Sequence, residues 1–421
     1  MNRIAVALSG GLDSVVLLDT ACKASDPAQT EIWVFHIHHG LQAAANDWLM
    51  FCQRLAKQYR VHFDFRLLQL CDDRALGNIE ARARVGRYEA LAELCAEHAI
   101  ENLLLAHHQN DQAETVLLQL LRGSGVAGLA GMPLQRDYVK GNQPLTLWRP
   151  LLNQSRADLE AYAKIHKLQW IEDPSNQDER YRRNAIRKAI LPRLAKIQPE
   201  AIANLARSAQ VLGESQGLLD RLAQQDGKAV LKEGAVLLPG LMTLKRRDTP
   251  AANNLLRYWL KTHGLSMPSQ ERLDAWWRDL EGVRPDASLE WQHDGVCIRL
   301  WRSALQLAPT PQGCWTFRAV PTRSQEPGIA RQSLLRAQKN GSVEYRERQG
   351  AEKLQIKANA PRRTLKNLYQ ESKVPPWERN APLLYLDGEL IAVAGVGVSY
   401  PHLTTSGARV WPEWSQQNPV K

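Results

Sequence analysis

The sequence predicts an α/β protein: a doubly wound parallel sheet, then a helical middle domain and a small α+β C-terminal domain. Strand-then-helix alternation repeats four times in the first 125 residues, which implies right-handed crossovers and helices on both faces of a sheet. Helical periodicity dominates afterwards, and short apolar strands return near the C-terminus. At 421 residues the chain exceeds one hydrophobic core, so we expect domains at residues 1–215, 216–310 and 330–415.

Apolar runs of strand length alternate with amphipathic segments in the first domain. The predicted strands are Ile4–Leu8, Ile32–Ile37, His62–Leu67 and Asn102–Ala106. The predicted helices are Asp13–Cys22, Asn46–Tyr59, Ile79–His98 and Asp111–Leu121. Ligands of such sheets bind beyond the C-terminal strand ends, so we expect the segments after these strands to converge on one crevice.

The remainder of the chain is α-rich before it becomes mixed. Ser155 and Asp158 have capping-box spacing, which predicts a helix through about His166. Further predicted helices are Arg183–Leu191, which should stop before Pro192, and Leu205–Gln225, Thr249–His263 and Gln270–Leu280. We also predict a strand pair at Val296–Leu300 and Ala304–Ala308, a linker at Pro309–Pro327, and a last unit at Leu334–Trp414.

The segment Ser9–Ser14 is the most informative in the chain, because a small-residue turn joins a predicted strand to a predicted helix. Paired glycines let a ligand approach the backbone, and the unsatisfied N–H groups of a helix start suit phosphate. The segment matches neither Gly-x-x-x-x-Gly-Lys-Ser/Thr nor Gly-x-Gly-x-x-Gly. The alternative is a Gly-Gly tight turn, and six residues in this order favour phosphate binding.

A second polar segment, His107–Thr115, lies at another predicted strand end. Asp111 and Glu114 are three residues apart and share one helical face, so they could hold Mg²⁺ or an ammonium group. Helix capping and dipole placement would explain Asp111 equally well. The pairs His38-His39 and His107-His108 are poor zinc sites, because neighbouring strand residues point to opposite faces. We expect one histidine of each pair to position a base or phosphate.

A net charge of +10 and a pI near 9.3 favour a polyanionic partner. The stretch Arg318–Arg379 contains 14 Lys/Arg and 6 Asp/Glu, and a second basic cluster comprises Arg180, Arg182, Arg183, Arg187, Lys188 and Arg193. Solvated helix faces are the alternative for both. For the arginines around Arg84, phosphate contact and an exposed salt-bridged face remain equally supported.

Scattered cysteines and the N-terminus bear on the class of protein. The six cysteines contain no Cys-x-x-Cys, which argues against a disulfide framework, a zinc ribbon and a persulfide relay. No apolar run approaches bilayer length, and the first strand leaves no room for a signal peptide after Met1. We therefore expect a cytoplasmic protein without membrane association.

These motifs resemble the tRNA(Ile)-lysidine synthetase family, which belongs to the PP-loop ATP pyrophosphatase superfamily with its adenine nucleotide alpha hydrolase-like fold. The resemblance covers nearly the whole chain. It runs through Ser9–Ser14, His36–Gly40, Glu80–Tyr88, His107–Thr115, Arg122–Gly125, Gly128–Pro133, Arg149–Leu152, Glu172–Asn176, Arg183–Arg187, Lys366–Leu368 and Val374–Arg379. Asn110 departs from the family, which often has Asp at this place, and if that carboxylate were a metal ligand, asparagine would weaken the role.

The resemblance implies ATP-dependent ligation of L-lysine to the wobble cytidine of the isoleucine tRNA with a CAU anticodon. The cytosine carbonyl oxygen attacks the α-phosphorus, pyrophosphate leaves, and the ε-amine of lysine then displaces AMP. It implies ATP and Mg²⁺ as cofactors, without assigning a metal ligand, and Asp111 and Glu114 as lysine-binding residues. The implied ATP-binding residues are Ser9, Gly10, Gly11, Leu12, Asp13, Ser14 and His38. The implied catalytic residues are Asp13, His107, Asp111 and Glu114, and those for tRNA are Arg84, Arg183, Arg187, Arg362, Arg363, Lys366 and Arg379.

Three alternatives remain at this point. A tRNA thiolase with the same loop would need reactive cysteines or an Fe–S site, and an amidating synthetase would need a glutaminase domain or ammonia. A non-catalytic tRNA-binding protein would have no reason to keep Ser9, Asp13 and Ser14. The sequence also leaves open whether the chain forms a homodimer.

Overall fold

The structure is a computed structural model. It describes residues 2–38, 45–68, 79–140, 143–172, 182–283, 289–308, 313–321 and 323–416. The chain divides into two compact units, residues 1–221 and 222–420. Each unit is described by itself below.

Unit 1 is built on a six-stranded sheet in the order β3-β2-β1-β4-β6-β5. Its strands are β1 (Asn2–Ala7), β2 (Thr30–His38), β3 (His62–Leu67), β4 (Asn102–Leu104), β5 (Gln135–Lys140) and β6 (Gln143–Trp148). All neighbouring pairs are parallel except β5 with β6. The prediction of a doubly wound parallel sheet is confirmed. The β5–β6 pair, which adds an antiparallel edge, was not predicted.

Helices cover both faces of this sheet. The helices of unit 1 are α1 (Leu12–Ala24), α2 (Ala45–Tyr59), α3 (Ile79–Glu97), α4 (Gln109–Leu120), α5 (Val126–Leu129), α6 (Arg156–Ile165), α7 (Arg182–Ala185), α8 (Leu191–Ile197) and α9 (Ala201–Gly227), whose last residues belong to unit 2. The burial of the strands explains the two layers, because alternate residues point to opposite faces. Val6 and Val34 lie in the core with α1, whereas Ala5 and Phe35 lie in the core that includes Leu91 of α3.

Most predicted helix boundaries lie within a few residues of the observed ones, but one predicted helix end does not. The predicted stop before Pro192 is wrong, because helical structure continues through Pro192 to Ile197. Between α7 and α8 the chain forms a π-helical turn at Ile186–Ile190. Proline lacks an N–H and its ring crowds the preceding turn, and a wider turn accommodates this without ending the helix.

Unit 2 begins with the end of α9 and contains a helical part beside a five-stranded sheet. Its helices are α10 (Leu238–Arg247), α11 (Thr249–Thr262), α12 (Gln270–Glu281), α13 (Arg331–Lys339) and α14 (Leu365–Glu371). The sheet, in the order β7-β8-β11-β10-β9, contains β7 (Leu231–Lys232), β8 (Ala235–Leu237), β9 (Leu289–His293), β10 (Val296–Trp301) and β11 (Ala304–Ala308). The predicted strand pair β10–β11 is confirmed, and it is antiparallel.

The C-terminal part of unit 2 contains, besides α13 and α14, small antiparallel sheets. Their strands are β12 (Gly313–Val320), β13 (Gly328–Ala330), β14 (Val343–Arg346), β15 (Lys353–Leu354), β16 (Arg363–Thr364), β17 (Leu383–Leu386), β18 (Glu389–Val393), β19 (Gly397–Val398), β20 (Leu403–Thr404) and β21 (Arg409–Gln416). The predicted linker at Pro309–Pro327 is wrong over Gly313–Val320, because that segment pairs with β21 along its length. Its buried residues, Trp315 and Val320, lie among polar neighbours that suggested a linker.

The start of α4 is held in place by a side-chain clamp. Gln112 donates from Nε2 to the carbonyl oxygen of Met132 at 2.9 Å and accepts from the Met132 N–H at 2.8 Å. Gly131 precedes Met132 with φ +63°, and a Cβ at this position would lie 2.7 Å from Oε1 of Gln112. The glycine therefore allows both the left-handed backbone and the clamp. The clamp fixes the helix that carries Asp111 and Glu114.

We predict that Gly131→Ala lowers the free energy of unfolding more than Gly123→Ala does. Gly123 has φ +69° with no atom within 4 Å of a built Cβ, so its alanine variant bears only the left-handed penalty of about 1–2 kcal/mol. Gly131→Ala adds the loss of the Gln112 hydrogen bonds, about 1–3 kcal/mol. Urea unfolding of the two variants measures the difference, and equal losses would show that the clamp contributes nothing.

Candidate active site

The turn after β1 is organised by two serines. Ser14 Oγ donates to the carbonyl oxygen of Gly11 at 2.9 Å and accepts from the Ser9 N–H at 3.2 Å. The two hydroxyl oxygens lie 3.1 Å apart, and Ser9 Oγ also accepts from the Gly11 N–H at 3.3 Å. The serines therefore hold the shape of the turn. We call Ser9–Ser14 the cradle.

A ligand can approach the backbone of the cradle closely because glycine occupies position 10. Gly10 has φ +88°, and a Cβ there would lie 3.3 Å from Sγ of Cys52 and 3.4 Å from Cδ1 of Ile171. The Gly10 carbonyl oxygen accepts from the Ile171 N–H at 2.9 Å. Helix α1 starts directly afterwards, and no side chain caps its N-terminus at Gly11. First-turn N–H groups and the positive end of the helix dipole suit an anion here.

Asp13, in the first turn of α1, has a side chain that is 28% exposed. Its Oδ1 accepts from Nη1 of Arg156, at the start of α6, at 2.7 Å. Burial raises the pKa of Asp13 above its usual value, although His108 and Arg156 act in the opposite direction. The Asp13 carboxylate therefore stands between the cradle and the groups on α4.

His108 connects Asp13 to Asp111. It caps α4, since its Nδ1 accepts from the Asn110 N–H at 3.2 Å. A ring nitrogen that accepts carries no proton, so the proton of the neutral ring is on Nε2. That nitrogen lies 3.7 Å from Oδ2 of Asp13 and 3.5 Å from Oδ2 of Asp111. The buried His108 ring thus presents its N–H toward two carboxylates.

Asp111 and Glu114 lie on one face of α4, as predicted, and two arginines are bound to them. Arg183 Nε and Arg187 Nε each donate to a different oxygen of Glu114 at 2.6 Å. Their Nη2 atoms lie 3.0 Å and 3.3 Å from Oδ1 of Asp111. The Glu114 side chain is 0% exposed. Arg183 and Arg187, which the family resemblance assigned to tRNA, are therefore directed at these carboxylates.

The charges of this cluster stabilise one another. Burial opposes ionisation of Asp111, but His108 and Arg183 outweigh it and hold the pKa of Asp111 below its usual value. Burial likewise opposes the charge on both arginines, yet contact with Asp111 and Glu114 raises the pKa of Arg183 and Arg187. Buried charges persist only when they are paired in this way.

His107 lies beside the cluster in a different environment. Burial lowers its pKa to about 3, and the neighbouring arginines Arg149 and Arg183 act in the same direction. Its Nδ1 is buried without a hydrogen-bond partner among the described residues, and so is Nε of Arg149. His107 is therefore a neutral imidazole with hydrogen-bonding capacity left over.

The other predicted residues are dispersed. His38, at the end of β2, has Nε2 3.2 Å from Oδ1 of Asn46, while His39 lies outside the described residues. Arg84 is exposed, with its guanidinium 5.8 Å from the Tyr88 ring. In unit 2, Arg362 and Lys366 are exposed, Arg363 pairs with Glu371 at 2.5 Å, and Arg379 is half-buried.

Two residues of the site were not selected from the sequence. The sequence presents His108 only as one of two adjacent histidines, and its capping geometry is visible only in three dimensions. Arg156 lies inside the Ser155–Asp158 capping box, which drew attention to helix formation rather than to charge. Asn110, the departure from the family pattern, accepts from the Arg156 N–H through Oδ1 at 3.0 Å. It therefore joins α4 to α6 beside Asp13.

The donor set indicates where a divalent cation would fit. Glu114 has no exposed surface and both its oxygens hold arginine, so it offers nothing to Mg²⁺. Asp13 is partly exposed and lies next to the anion cradle. Mg²⁺ prefers one or two carboxylates together with substrate phosphates. Asp13 is the carboxylate of the site that suits this arrangement.

Family models match three parts of the chain. Residues 1–194 match a PP-loop domain, residues 241–306 a TilS substrate binding domain, and residues 343–414 a TilS substrate C-terminal domain. A solved U34-tRNA thiolase from Methanococcus maripaludis is 18% identical with a TM-score of 0.44, over 51% of this chain and 72% of that one. Similarity at that level is weak. Among the described helices, none combines the length and apolar composition that a bilayer-spanning segment requires.

Curated relatives match nearly from end to end, and each is named tRNA(Ile)-lysidine synthase. The Nitrosomonas europaea protein is 35% identical over 94% of this chain and 88% of its own length. The Serratia proteamaculans protein is 37% identical, with 97% and 94% covered, and the Pseudomonas aeruginosa protein is 38% identical, with 93% and 89% covered. The chain therefore belongs to the tRNA(Ile)-lysidine synthase family and is an ATP-using enzyme of the ligase type.

Proposed function

We propose that this enzyme uses ATP to join L-lysine to the wobble cytidine of the isoleucine tRNA with a CAU anticodon, through an adenylated cytidine. The observation that carries the proposal is the position of Asp13. Beside the cradle, its Oδ1 lies 2.7 Å from Nη1 of Arg156. Its Oδ2 lies 3.7 Å from Nε2 of His108, which also faces Asp111. An anion site for ATP and a carboxylate site for a cation thus adjoin.

In the first step, the cytosine carbonyl oxygen attacks the α-phosphorus and pyrophosphate leaves. The backbone N–H groups of the cradle and the start of α1 bind the leaving phosphates, and no reorganisation is needed as charge develops. Arg156 adds a cation at the same place, and it is anchored by Asp13 and by Glu160 at 3.0 Å. Mg²⁺, which Asp13 would hold, neutralises phosphate charge when bound. The target base must leave its stack to reach this crevice.

In the second step, the ε-amine of lysine attacks the adenylated ring carbon and AMP leaves. The amino acid brings ammonium groups, for which Asp111 and Glu114 are the proposed partners. Both carboxylates hold Arg183 and Arg187, so an ammonium reaches Glu114 only if an arginine moves away. Asp111, whose side chain is 12% exposed, is the first contact available to lysine.

The two histidines have different proposed roles. With a pKa of about 3, His107 is too weakly basic to serve as an efficient proton acceptor near pH 7, so we assign it a hydrogen bond to the substrate. His108 keeps its N–H between Asp13 and Asp111 and orients both carboxylates. His38 is proposed to contact ATP from the end of β2.

Four of the described cysteines favour lysine rather than sulfur as the second substrate. Burial raises the pKa of Cys22 and Cys297 to about 11 and that of Cys52 and Cys95 to about 12. A reactive thiol requires a lowered pKa.

The residues that we still propose to contact the tRNA are Arg84, Arg362, Arg363, Lys366 and Arg379. Because its substrate is a tRNA, we place the reaction in the cytoplasm.

We predict that Asp111→Asn raises the KM for lysine about tenfold to a hundredfold while the KM for ATP changes little. The variant removes a charged hydrogen-bond acceptor worth about 1.5–3 kcal/mol and leaves the cradle intact. Steady-state kinetics with labelled lysine measure both constants. Asp158→Asn is the control, because Asp158 is the third residue of α6, where its side chain accepts from the Ser155 N–H in the capping box, and the amide oxygen of asparagine can still accept there. An unchanged lysine KM would refute this role.

We predict that Asp13→Asn lowers the rate of labelled-lysine incorporation into the CAU-anticodon tRNA about a hundredfold or more, because it removes the carboxylate that anchors Arg156 and that would hold Mg²⁺ against the phosphates. Wild type should release one AMP and one pyrophosphate per lysine incorporated. Glu160→Gln is the matched control, since it removes the other carboxylate bound to Arg156. Wild-type consumption of ATP without lysine incorporation would overturn the proposed function.

A further inference from the structure

One face of β2 changes from apolar to polar near the C-terminal end of the strand. Ile32 and Val34 lie in the core that contains α1, and His36 and His38 follow them at alternate positions on the same face. His36 is 4% exposed, so it is as buried as an apolar core residue. A polar ring is costly to bury unless it is hydrogen-bonded. The partner of His36 therefore indicates why a histidine occupies this position.

That partner is the carbonyl oxygen of Leu8, the last residue before the cradle. Nδ1 of His36 lies 2.8 Å from this oxygen. A carbonyl oxygen only accepts, so Nδ1 carries the proton and donates. Burial lowers the pKa of His36, and His38 acts in the same direction, although the bond to Leu8 opposes both. The ring is therefore neutral near pH 7. The Leu8 N–H donates to the carbonyl oxygen of Phe35 at 2.9 Å, so β2 holds Leu8 at both its polar atoms.

The Leu8 carbonyl and the Ser9 N–H belong to one planar peptide group. The oxygen of this group accepts from His36, and its N–H donates to Oγ of Ser14 at 3.2 Å. Ser14 Oγ in turn donates to the carbonyl oxygen of Gly11 at 2.9 Å. The first peptide of the cradle is thus fixed by His36 on one side and by Ser14 on the other.

Removal of the histidine donor would leave the Leu8 oxygen without an adequate partner. Leu8 is 1% exposed, so bulk water does not replace the donor. The thiol of Cys52 lies 3.9 Å from the same oxygen, and a thiol is a weak donor. An unpaired buried carbonyl is costly, so the peptide would turn and draw the Ser9 N–H away from Ser14. A cradle that adopts other shapes for part of the time binds its ligand less tightly in proportion.

We propose that His36 is a positioning residue of the ATP site, which holds the first peptide of the cradle in the orientation that phosphate binding requires. The inference rests on the proposed function in that it takes the cradle as the phosphate site. His36 acts through the Leu8 carbonyl and does not touch the nucleotide. This role differs from that of His38, which we propose to contact ATP directly.

The test is equilibrium binding of ATP with Mg²⁺ to the full chain, without tRNA or lysine. His36→Leu removes the donor and leaves an apolar side chain in an otherwise apolar layer. The dissociation constant for ATP should rise about three- to tenfold, which is the effect of one hydrogen bond. Without nucleotide, a peptide covering residues 9–15 should also exchange hydrogen for deuterium faster in this variant than in wild type.

His36→Asn tests whether the donor itself is responsible. The amide nitrogen of asparagine is as many bonds from the backbone as Nδ1 of histidine, so this variant should bind ATP within about twofold of wild type. His36→Gln places its amide one bond further away. It should bind ATP as weakly as His36→Leu does.

His293→Leu is the matched control for stability. His293, at the end of β9, is 3% exposed, and its Nε2 lies 2.8 Å from the carbonyl oxygen of Ser266. Both leucine variants lose a buried hydrogen bond of the same length, so both should melt at a lower temperature than wild type. Only His36→Leu should bind ATP more weakly when binding is measured well below both melting temperatures.

Wild-type affinity of His36→Leu for ATP would overturn the inference. Equal losses in His36→Asn and His36→Leu would also overturn it, because the donor would then not be the cause. If His36→Leu does not fold, the comparison of His36→Asn with His36→Gln replaces it, and equal affinities of these two variants would contradict the inference. Binding is measured without tRNA or lysine, so absence of lysine incorporation by wild type would refute the proposed function alone.

Discussion

The buried carboxylate of Glu114 and the two arginines bound to it constrain the catalytic part of the molecule. Glu114 has no exposed surface, and Nε of Arg183 and Nε of Arg187 each lie 2.6 Å from one of its oxygens. Removing one partner of a buried ion pair costs about 3–5 kcal/mol, because the remaining charge is left uncompensated. This interaction joins α4 to the α7 segment and its π-helical turn. The paired charges of Glu114, Arg183 and Arg187 therefore have fixed positions in the crevice.

A series of contacts connects these paired charges to the cradle. Asp111 shares the arginines, His108 faces both Asp111 and Asp13, and Asp13 holds Arg156. The elements involved start at the ends of neighbouring parallel strands, as ligand sites in such sheets do. Asp111, His108, Asp13 and Arg156 therefore form one continuous series of contacts. In our proposal, this arrangement brings the lysine-binding and ATP-binding groups into one crevice for adenylation and then ligation.

Local signals in the sequence predicted much of this arrangement. Strand–helix alternation predicted the sheet, and the spacing of Asp111 and Glu114 predicted their common face. Pairing partners far apart in the chain could not be predicted: Arg183 and Arg187 are basic residues in a basic stretch, and only the fold directs them to Glu114. The β12–β21 pair was not predicted for the same reason. A polar strand flanked by prolines is identified by the strand that it pairs with rather than by its composition. The helix continues past Pro192 because of a π-helical turn, and no local sequence pattern predicts that turn.

The central claim is that the turn at Ser9–Ser14 binds the phosphates of ATP through its backbone N–H groups. Hydrogen–deuterium exchange of the full chain, with and without saturating ATP, tests it most directly. The account predicts that nucleotide slows exchange in a peptide covering residues 9–15, while peptides from β9 and β10 are unaffected. If bound ATP left residues 9–15 exchanging at the free rate, the phosphates would lie elsewhere and the account would be contradicted.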